Sequence, residues 1–428
     1  MIGVHMATEG TGKSGRVAGF DPAVWRWALA AGAGAAYCFE PSSGLSTAMM
    51  VGVGVYGAVK HRRTLASWRN PAGMLFGLGV VWAVASWCWS FHPAGTARDL
   101  AKAIPLALAV WGIPAIADRP SRIWGALMIG AAGATLRLGA DLARLAWALG
   151  WPEVMTGARF HQTYLYTHPN VSSMVACLCV FVFAARWVAG APGWKSKALL
   201  AAGIAVDLAY VATMGSRGPQ AAFALAALLA PAALAPGWRS RLAALGLAAA
   251  FAATAWPAVL VVNPRFGERN MVHFNRRDTI WGHAKLLAGR RPALGYGYGK
   301  KAFSKAVYEN PEQRAPLVPF RYPHAHSYWL MLSFQGGRVG LATWSLAWLA
   351  LAWRLGRHLR RASRGHSGFW DGCRARALPV LLALGMGFVL FYGVVDYPDH
   401  LLRHALYLLA GLAMALTRAG PGVEEGGA

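Results

Sequence analysis

Acidic residues are scarce in this chain. Asp and Glu number 17 against 42 Lys and Arg, leaving a formal charge of +25 over 428 residues. Charged residues of every kind make up 14%, where a soluble domain carries roughly a quarter. That shortage argues against an ordinary soluble protein. No Asp-x-Asp pair occurs, so one common arrangement for holding a divalent cation is missing. Cysteine is sparse too: Cys38, Cys88, Cys177 and Cys179 sit in apolar runs and Cys373 in a basic loop, which excludes a disulfide framework in the long polar stretch described below. Cys177-Leu178-Cys179 has neither the spacing nor the polar surroundings of a zinc site. Residues 1–21 lack an apolar core and a cleavage signal, so they read as a tail and not a signal peptide. The phosphate-loop-like ATEGTGKS at Ala7 to Ser14 has no strand before it and no helix after it, and reads as chance.

Apolar sequence is abundant: 56% of residues are hydrophobic, in continuous runs of the length that crosses a bilayer. Continuity rather than alternation favours helices over a β-barrel. The fold class expected is all-α, a polytopic membrane protein with about twelve spans, near 23–39, 44–59, 72–91, 101–117, 122–141, 170–189, 197–214, 218–236, 242–262, 326–353, 377–395 and 401–417. Lys60 to Arg69, Arg119 and Arg122, Arg186 to Lys197, Arg239 and Arg241, and Arg354 to Arg376 then fall in alternate loops. Cationic loops stay in the cytoplasm, which puts both termini inside. The organisation expected is a cytoplasmic tail (1–21), spans one to nine (22–262), an outward basic segment (263–325), spans ten to twelve (326–418) and a second cytoplasmic tail (419–428). This topology accounts for about half of the basic residues without a nucleic-acid partner; membrane lipids surround the chain.

Twelve of the remaining Lys and Arg are concentrated in the polar stretch Asn263 to Ala325, where they face Glu268, Asp278, Glu309 and Glu312. Ile280, Ala284 and Leu287 have helical spacing, with Asp278 as N-cap and Gly289 near the end. Gly295-Tyr296-Gly297-Tyr298-Gly299 reads as a turn-rich connector, and Lys301 to Tyr308 as a second short helix with Phe303 and Val307 on one face. Such helices suit the outer bilayer surface. Leu142 to Pro169, rich in Tyr and Trp, forms a second outward segment.

Several polar groups here ask for a chemical role. Arg217, in Met214-Gly215-Ser216-Arg217-Gly218-Pro219, lies between two apolar runs, where an arginine is costly unless paired or hydrated. A helix beginning there would aim its positive end at the same place, which suits phosphate. Arg276 and Arg277 offer guanidinium forks for a second phosphate, with Arg265 and Arg321 as weaker members of the same surface. His324 and His326 straddle Ala325 just before a span, and imidazole moves protons near neutral pH. With no carboxylate or cysteine cluster evident to complete a His-x-His site, no metal is expected. Asp396 and Asp399 read as a base, as an orienting partner for a histidine, or as ordinary loop residues.

Taken in order, Gly215-Ser216-Arg217-Gly218, Arg277-Asp278-Thr279-Ile280-Trp281, Pro292-Ala293-Leu294-Gly295-Tyr296-Gly297, His324-Ala325-His326-Ser327-Tyr328-Trp329-Leu330 and Gly336-Gly337-Arg338-Val339-Gly340 resemble the motif series of the O-antigen ligase and polymerase superfamily, over about residues 205–345. Thr167-His168-Pro169-Asn170 before a span adds to the match. Ser327 stands where the family often has Asn, and it still offers a hydrogen bond. The resemblance implies a GT-C-like helical membrane fold in a bacterial inner membrane, with an active site on the periplasmic side and no cofactor. It implies transfer of a polysaccharide from undecaprenyl pyrophosphate, for a ligase to lipid A-core oligosaccharide. Arg217 and Arg277 would bind the pyrophosphate and His326 would activate the acceptor hydroxyl, with His324, His168, Asn170, Arg265, Arg276 and Arg321 as substrate-binding candidates. A polymerase of the same superfamily is the alternative. A lipid-linked oligosaccharide flippase is a more distant one, disfavoured because no second copy of the Ser-Arg-Gly or His-Ala-His segments occurs.

Overall fold

In the computed structural model, residues 52, 70–157, 165, 168–191, 193–262, 277–309, 322–362, 368–397 and 401–418 are described. Among them every regular element is helical: α1 (Pro71–Ala85, continued by a 3-10 turn Ser86–Trp89), α2 (Pro93–Ile116), α3 (Pro120–Leu149), α4 (Trp151–Gly157), α5 (Pro169–Val188), α6 (Gly193–Met214), α7 (Arg217–Leu234), α8 (Trp238–Val262), α9 (Arg277–Arg290), α10 (Lys300–Tyr308), α11 (Tyr328–Ala362), α12 (Phe369–Val395) and α13 (Leu401–Arg418). Four of these begin with Pro, which fits the first turn because its missing N–H has no helical partner there. Side chains of the preceding residue cap three of them: Asn70 accepts from Gly73 N–H at 2.9 Å, His92 from Gly95 N–H at 3.0 Å and His168 from Asn170 N–H at 3.3 Å.

Among the described residues, six helices are long and apolar enough to cross a membrane: Pro71–Trp89, Pro93–Ile116, Pro120–Leu149, Pro169–Val188, Gly193–Met214 and Phe369–Val395. Large apolar side chains such as Leu136, Leu199, Leu247 and Phe251 stand exposed on the bundle. This is the surface of a helical membrane protein, since lipid rather than water covers such groups at low cost. The expected spans from 72–91 onward each fall on a helix; the spans near 23–39 and 44–59 lie outside the described residues apart from Gly52.

The bundle is organised around α12, which packs against α5, α7, α11 and α13. Phe181 of α5 stacks on Phe223 of α7 and meets Phe388 of α12 edge-on, while Phe76 of α1 sets its edge against Trp348 of α11. Between α3 and α6, fully buried Asp207 accepts a hydrogen bond from Thr135 at 2.9 Å.

Several expectations are corrected at this level. Lys195 and Lys197 belong to the first turns of α6, Arg354 to Arg361 to the last turns of α11, and Arg374 and Arg376 to the start of α12, so the cationic residues sit on helix ends more than in loops. Cys373 is likewise buried in the first turns of α12. Helix α3 runs on to Leu149, because Leu142 and Leu145 continue its buried face. Asp278 lies inside the first turn of α9, not before it, and the helix continues past Gly289 to Arg290. The two short helices carry the apolar faces read from the sequence, Ile280, Ala284 and Leu287 on α9 and Phe303 and Val307 on α10. Those faces turn to the protein, α9 onto α11 and α10 onto α2, rather than to a bilayer surface.

The connector between α9 and α10 is what locks this cap to the bundle. Helix α11 is broken at Gly337, which takes φ 62°. The backbone groups freed near the break pair with the glycine-rich connector: Tyr296 N–H donates to Phe334 C=O at 2.8 Å, Gly297 N–H to Gln335 C=O at 3.1 Å and Arg338 N–H to Pro292 C=O at 2.7 Å. Tyr296 also stacks flat on Phe334, with centroids 5.0 Å apart. A Cβ at Gly337 would come within 2.2 Å of the Ala293 carbonyl oxygen, so only glycine fits.

Gly337→Ala is therefore expected to destabilise the detergent-solubilised protein by roughly 1–3 kcal/mol, since it adds a forced clash to a left-handed backbone. Gly356→Ala, where nothing lies within 4 Å, should be neutral or slightly stabilising. Equal melting temperatures for the two variants would contradict this account of the joint.

Candidate functional site

One carboxylate at the end of α12 gathers the polar residues that the sequence scatters. Helix α12 stops at Val395, and Asp396, in extended conformation, caps it and is buried. Its Oδ1 lies 3.0 Å from His326 Nδ1 and accepts from Tyr397 N–H at 2.9 Å. Its Oδ2 accepts from Tyr392 OH at 2.8 Å, Arg277 at 3.1 Å and Asn170 Nδ2 at 3.4 Å. Burial by itself would raise the pKa of this carboxyl. The hydrogen bond from His326 and the charge of Arg277 outweigh burial and hold it well below the usual carboxylate range.

Local sequence explains how each partner arrives. Arg277 and Trp281 are four residues apart on α9, so they share a face: Arg277 reaches Asp396 while Trp281 Nε1–H donates to the carbonyl of His326 at 3.2 Å. Tyr392 precedes Asp396 by one helical turn. Asn170 opens α5 behind its Pro169. His326 has φ 46°, a left-handed conformation unusual for a residue with a Cβ, which it keeps only because its surroundings fix it. The segment before it is pinned as well: Tyr322 N–H donates to Tyr308 OH at 2.6 Å, and the Tyr322 hydroxyl lies 2.6 Å from His283 Nδ1.

His324 stands beside this pair. Its Nδ1 accepts from His326 N–H at 3.2 Å, and the two rings are 4.4 Å apart. Burial first, then the neighbouring His326 and Lys300, push its pKa down to about 3, so at neutral pH it is a neutral imidazole. His168 caps α5, and its pKa is lowered chiefly by desolvation, with Asp396 and His326 acting on it in opposite senses. Arg217 is the first residue of α7, after a break in which Gly215 takes φ 55°. Its neighbour Gly218 lies against Tyr392, whose ring a Cβ there would approach to 3.1 Å. The start of α7 thus abuts the tyrosine that bonds Asp396. Of the remaining expected site residues, Arg265, Arg276 and Arg321 lie outside the described residues.

Ser327 turns its hydroxyl to Gly393 C=O and Leu330 N–H at the start of α11, and Asp396 is the group that holds the imidazole. One reading from the sequence changes: the premise that no carboxylate completes a His324–His326 cluster is wrong, because Asp396 brings ligand atoms of all three residues within 4.8 Å of one another. Three ligands are one short of a closed tetrahedral site, and the imidazole-rich set suits zinc better than magnesium. The Arg277 guanidinium on the same carboxylate would oppose a dication. Tyr392 went unread, although its spacing of one turn from Asp396 was available.

Chemically, a histidine that gives its Nδ1–H to an anionic carboxylate keeps its Nε2 lone pair as a proton acceptor, and the carboxylate stabilises the imidazolium formed. The chain matches no protein-family model and no curated protein.

The depressed pKa of Asp396 sets the sign of a stability test. The contribution is complete above the ordinary carboxylate value, about 3.9, and is lost as pH falls through the lower folded value. Wild type should lose melting temperature on acidification below about pH 4, and Asp396→Asn should lose less. At pH 7 that variant should be less stable by roughly 3 kcal/mol, because Arg277 loses its anion. Superimposable pH profiles would show that the carboxylate is not ionised in the fold.

Proposed function

We propose that the protein is a glycosyltransferase of the O-antigen ligase type, moving a polysaccharide from undecaprenyl pyrophosphate to lipid A-core oligosaccharide on the periplasmic face of a bacterial inner membrane. The observation that carries this reading is the meeting of Arg277, His326 and Asn170 on Asp396, three residues far apart in sequence that all lie in segments of the resemblance. The two ends of the bundle differ in a way that supports the orientation. Around the Asp396 end lie the starts of α5, α7, α9 and α11. At the other end Arg186 covers Trp124, Arg354 donates to Thr417 and Arg376 donates to the Ala233 carbonyl. Cationic helix ends of the second kind are those retained in the cytoplasm.

In the proposed reaction the acceptor hydroxyl oxygen attacks the anomeric carbon as the bond from that carbon to the pyrophosphate oxygen breaks. His326 Nε2 takes the hydroxyl proton, and Asp396 steadies the resulting imidazolium. The pyrophosphate leaves with the bonding electron pair, its growing charge answered by Arg277 and by Arg217 at the positive start of α7. A single displacement inverts the anomeric configuration. Cations from the protein take the place of a metal, so no divalent ion is required.

The test is transfer in vitro with undecaprenyl-pyrophosphate-linked glycan as donor and lipid A-core as acceptor. Wild type should transfer with inversion and should do so in excess chelator, and His326→Ala should transfer roughly 10²–10⁴-fold more slowly. Activity abolished by chelation and restored by magnesium, or a retained configuration, would overturn the mechanism. Elongation of the donor in place of capping the acceptor would identify the polymerase alternative, and an inert wild type would defeat the transferase reading.

A further inference from the structure

Arg277 cannot give its whole charge to a substrate, because Asp396 already answers part of it at 3.1 Å. A second source of positive charge adjoins the histidines. Tyr397, next to Asp396 in the chain, sets its ring 5.2 Å from that of His324. The Lys300 ammonium lies 6.0 Å from the centre of that same Tyr397 ring, and the Arg403 guanidinium lies 5.9 Å from it. We propose that Lys300, with Arg403 across Tyr397, forms a second anion subsite that grips the diphosphate of a lipid-linked donor. The proposal rests on the transferase reading above and deepens it by moving part of the diphosphate grip from the arginines of the motifs to a lysine outside them.

The backbone is arranged to place this lysine. Lys300 opens α10 immediately after Gly299, which takes φ 106° and passes so close to Asp99 that a Cβ would meet its carboxylate oxygen at 2.2 Å. Asp99 accepts the Lys300 backbone N–H at 2.8 Å. Asp99 thus fixes the start of α10, and the Lys300 ammonium lies 6.0 Å from the centre of the Tyr397 ring.

Charge balance points to the ligand. The charged groups that act on Lys300 are Arg403 from α13, Asp99 and Lys102 from α2, and Asp396 from the end of α12. His324 feels both Lys300 and Arg277, which ties the two cations to one locality. His324 itself is neutral at neutral pH, and Tyr397 contributes a ring face. Lys300, Arg403, Lys102 and Arg277 thus gather near Asp99 and Asp396, a predominance of positive charge that suits a diphosphate. Burial first, then Arg403, lower the Lys300 pKa to about 8, and an anion bound beside the ammonium would oppose that lowering.

The experiment uses the purified full-length protein in detergent, with binding followed by intrinsic tryptophan fluorescence. The probes are undecaprenyl diphosphate, undecaprenyl monophosphate, inorganic pyrophosphate and phosphatidylglycerol. Lys300→Gln should weaken undecaprenyl diphosphate binding about tenfold or more and monophosphate binding clearly less. Lys300→Arg should preserve the affinity. Wild-type affinity should fall as pH rises through about 8, and that fall should be absent in Lys300→Arg. Lys285→Gln, on the exposed face of α9, should bind as wild type does. The subsite is overturned if Lys300→Gln binds undecaprenyl diphosphate normally. It is equally overturned if that variant loses phosphatidylglycerol and monophosphate to the same extent, which would mean a generic cationic surface. Inorganic pyrophosphate bound as tightly as the lipid form would assign the subsite to free diphosphate. Wild type that binds no diphosphate in any form defeats the transferase reading together with the subsite, and so is distinct from a failure of Lys300 alone.

Discussion

A carboxylate stays ionised inside a protein only where donors and cations surround it, and Asp396 meets that condition with groups from four parts of the chain. Removing it from water carries a large cost, and each of His326, Arg277, Tyr392 and Asn170 offsets part of that cost. The dependence runs both ways. Arg277 and the left-handed His326 would have little reason to hold their places without the anion between them. The end of α12, the starts of α5 and α9 and the approach to α11 are therefore fixed by one electrostatic constraint, not by apolar packing alone.

Backbone hydrogen bonding supplies the other half of the geometry. The break in α11 at Gly337 leaves backbone groups that the helix does not use, and the glycine-rich connector takes them up. That joint lies along α11 from the His326 turn, on the same helix. It sets the distance between α9, which carries Arg277 and Trp281, and α10, which begins with Lys300. Two segments that look like separate sequence motifs are one structural part, and its purpose is to hold a polar cap at a fixed height over the bundle.

Much of this was legible in the sequence because it follows local rules. The helical spacing of Ile280, Ala284 and Leu287 and the face of Phe303 and Val307 come from a period of 3.6 residues, which neighbours in space do not alter. The break before Arg217 was announced by its flanking Gly and Pro. What could not be read was which distant groups would touch. Asp396 was one acid of two in a short segment, with nothing local to choose a role for it. Tyr392 looked like an ordinary residue in an apolar run, and the direction in which α9 and α10 turn their apolar faces depends on α11 and α2. The reading of Lys195, Lys197 and Arg374 as loop residues failed for a related reason, since long cationic side chains at a helix end satisfy the same topological preference as those in a loop.

The shortage of acids now has a physical counterpart. One carboxylate, Asp396, is enough to orient a histidine and anchor an arginine, and a second, Asp99, is taken up by the start of α10. A carboxylate paired directly with Lys300 or Arg403 would cancel part of the field that the proposed anionic substrate requires. A site that uses side-chain cations in place of a metal must be poor in carboxylates, because each added carboxylate competes with the substrate for the same donors. In the proposed reaction, therefore, the local imbalance of charge is a working part of the site, and the composition of the whole chain reflects it only in part, the remainder belonging to the opposite end of the bundle.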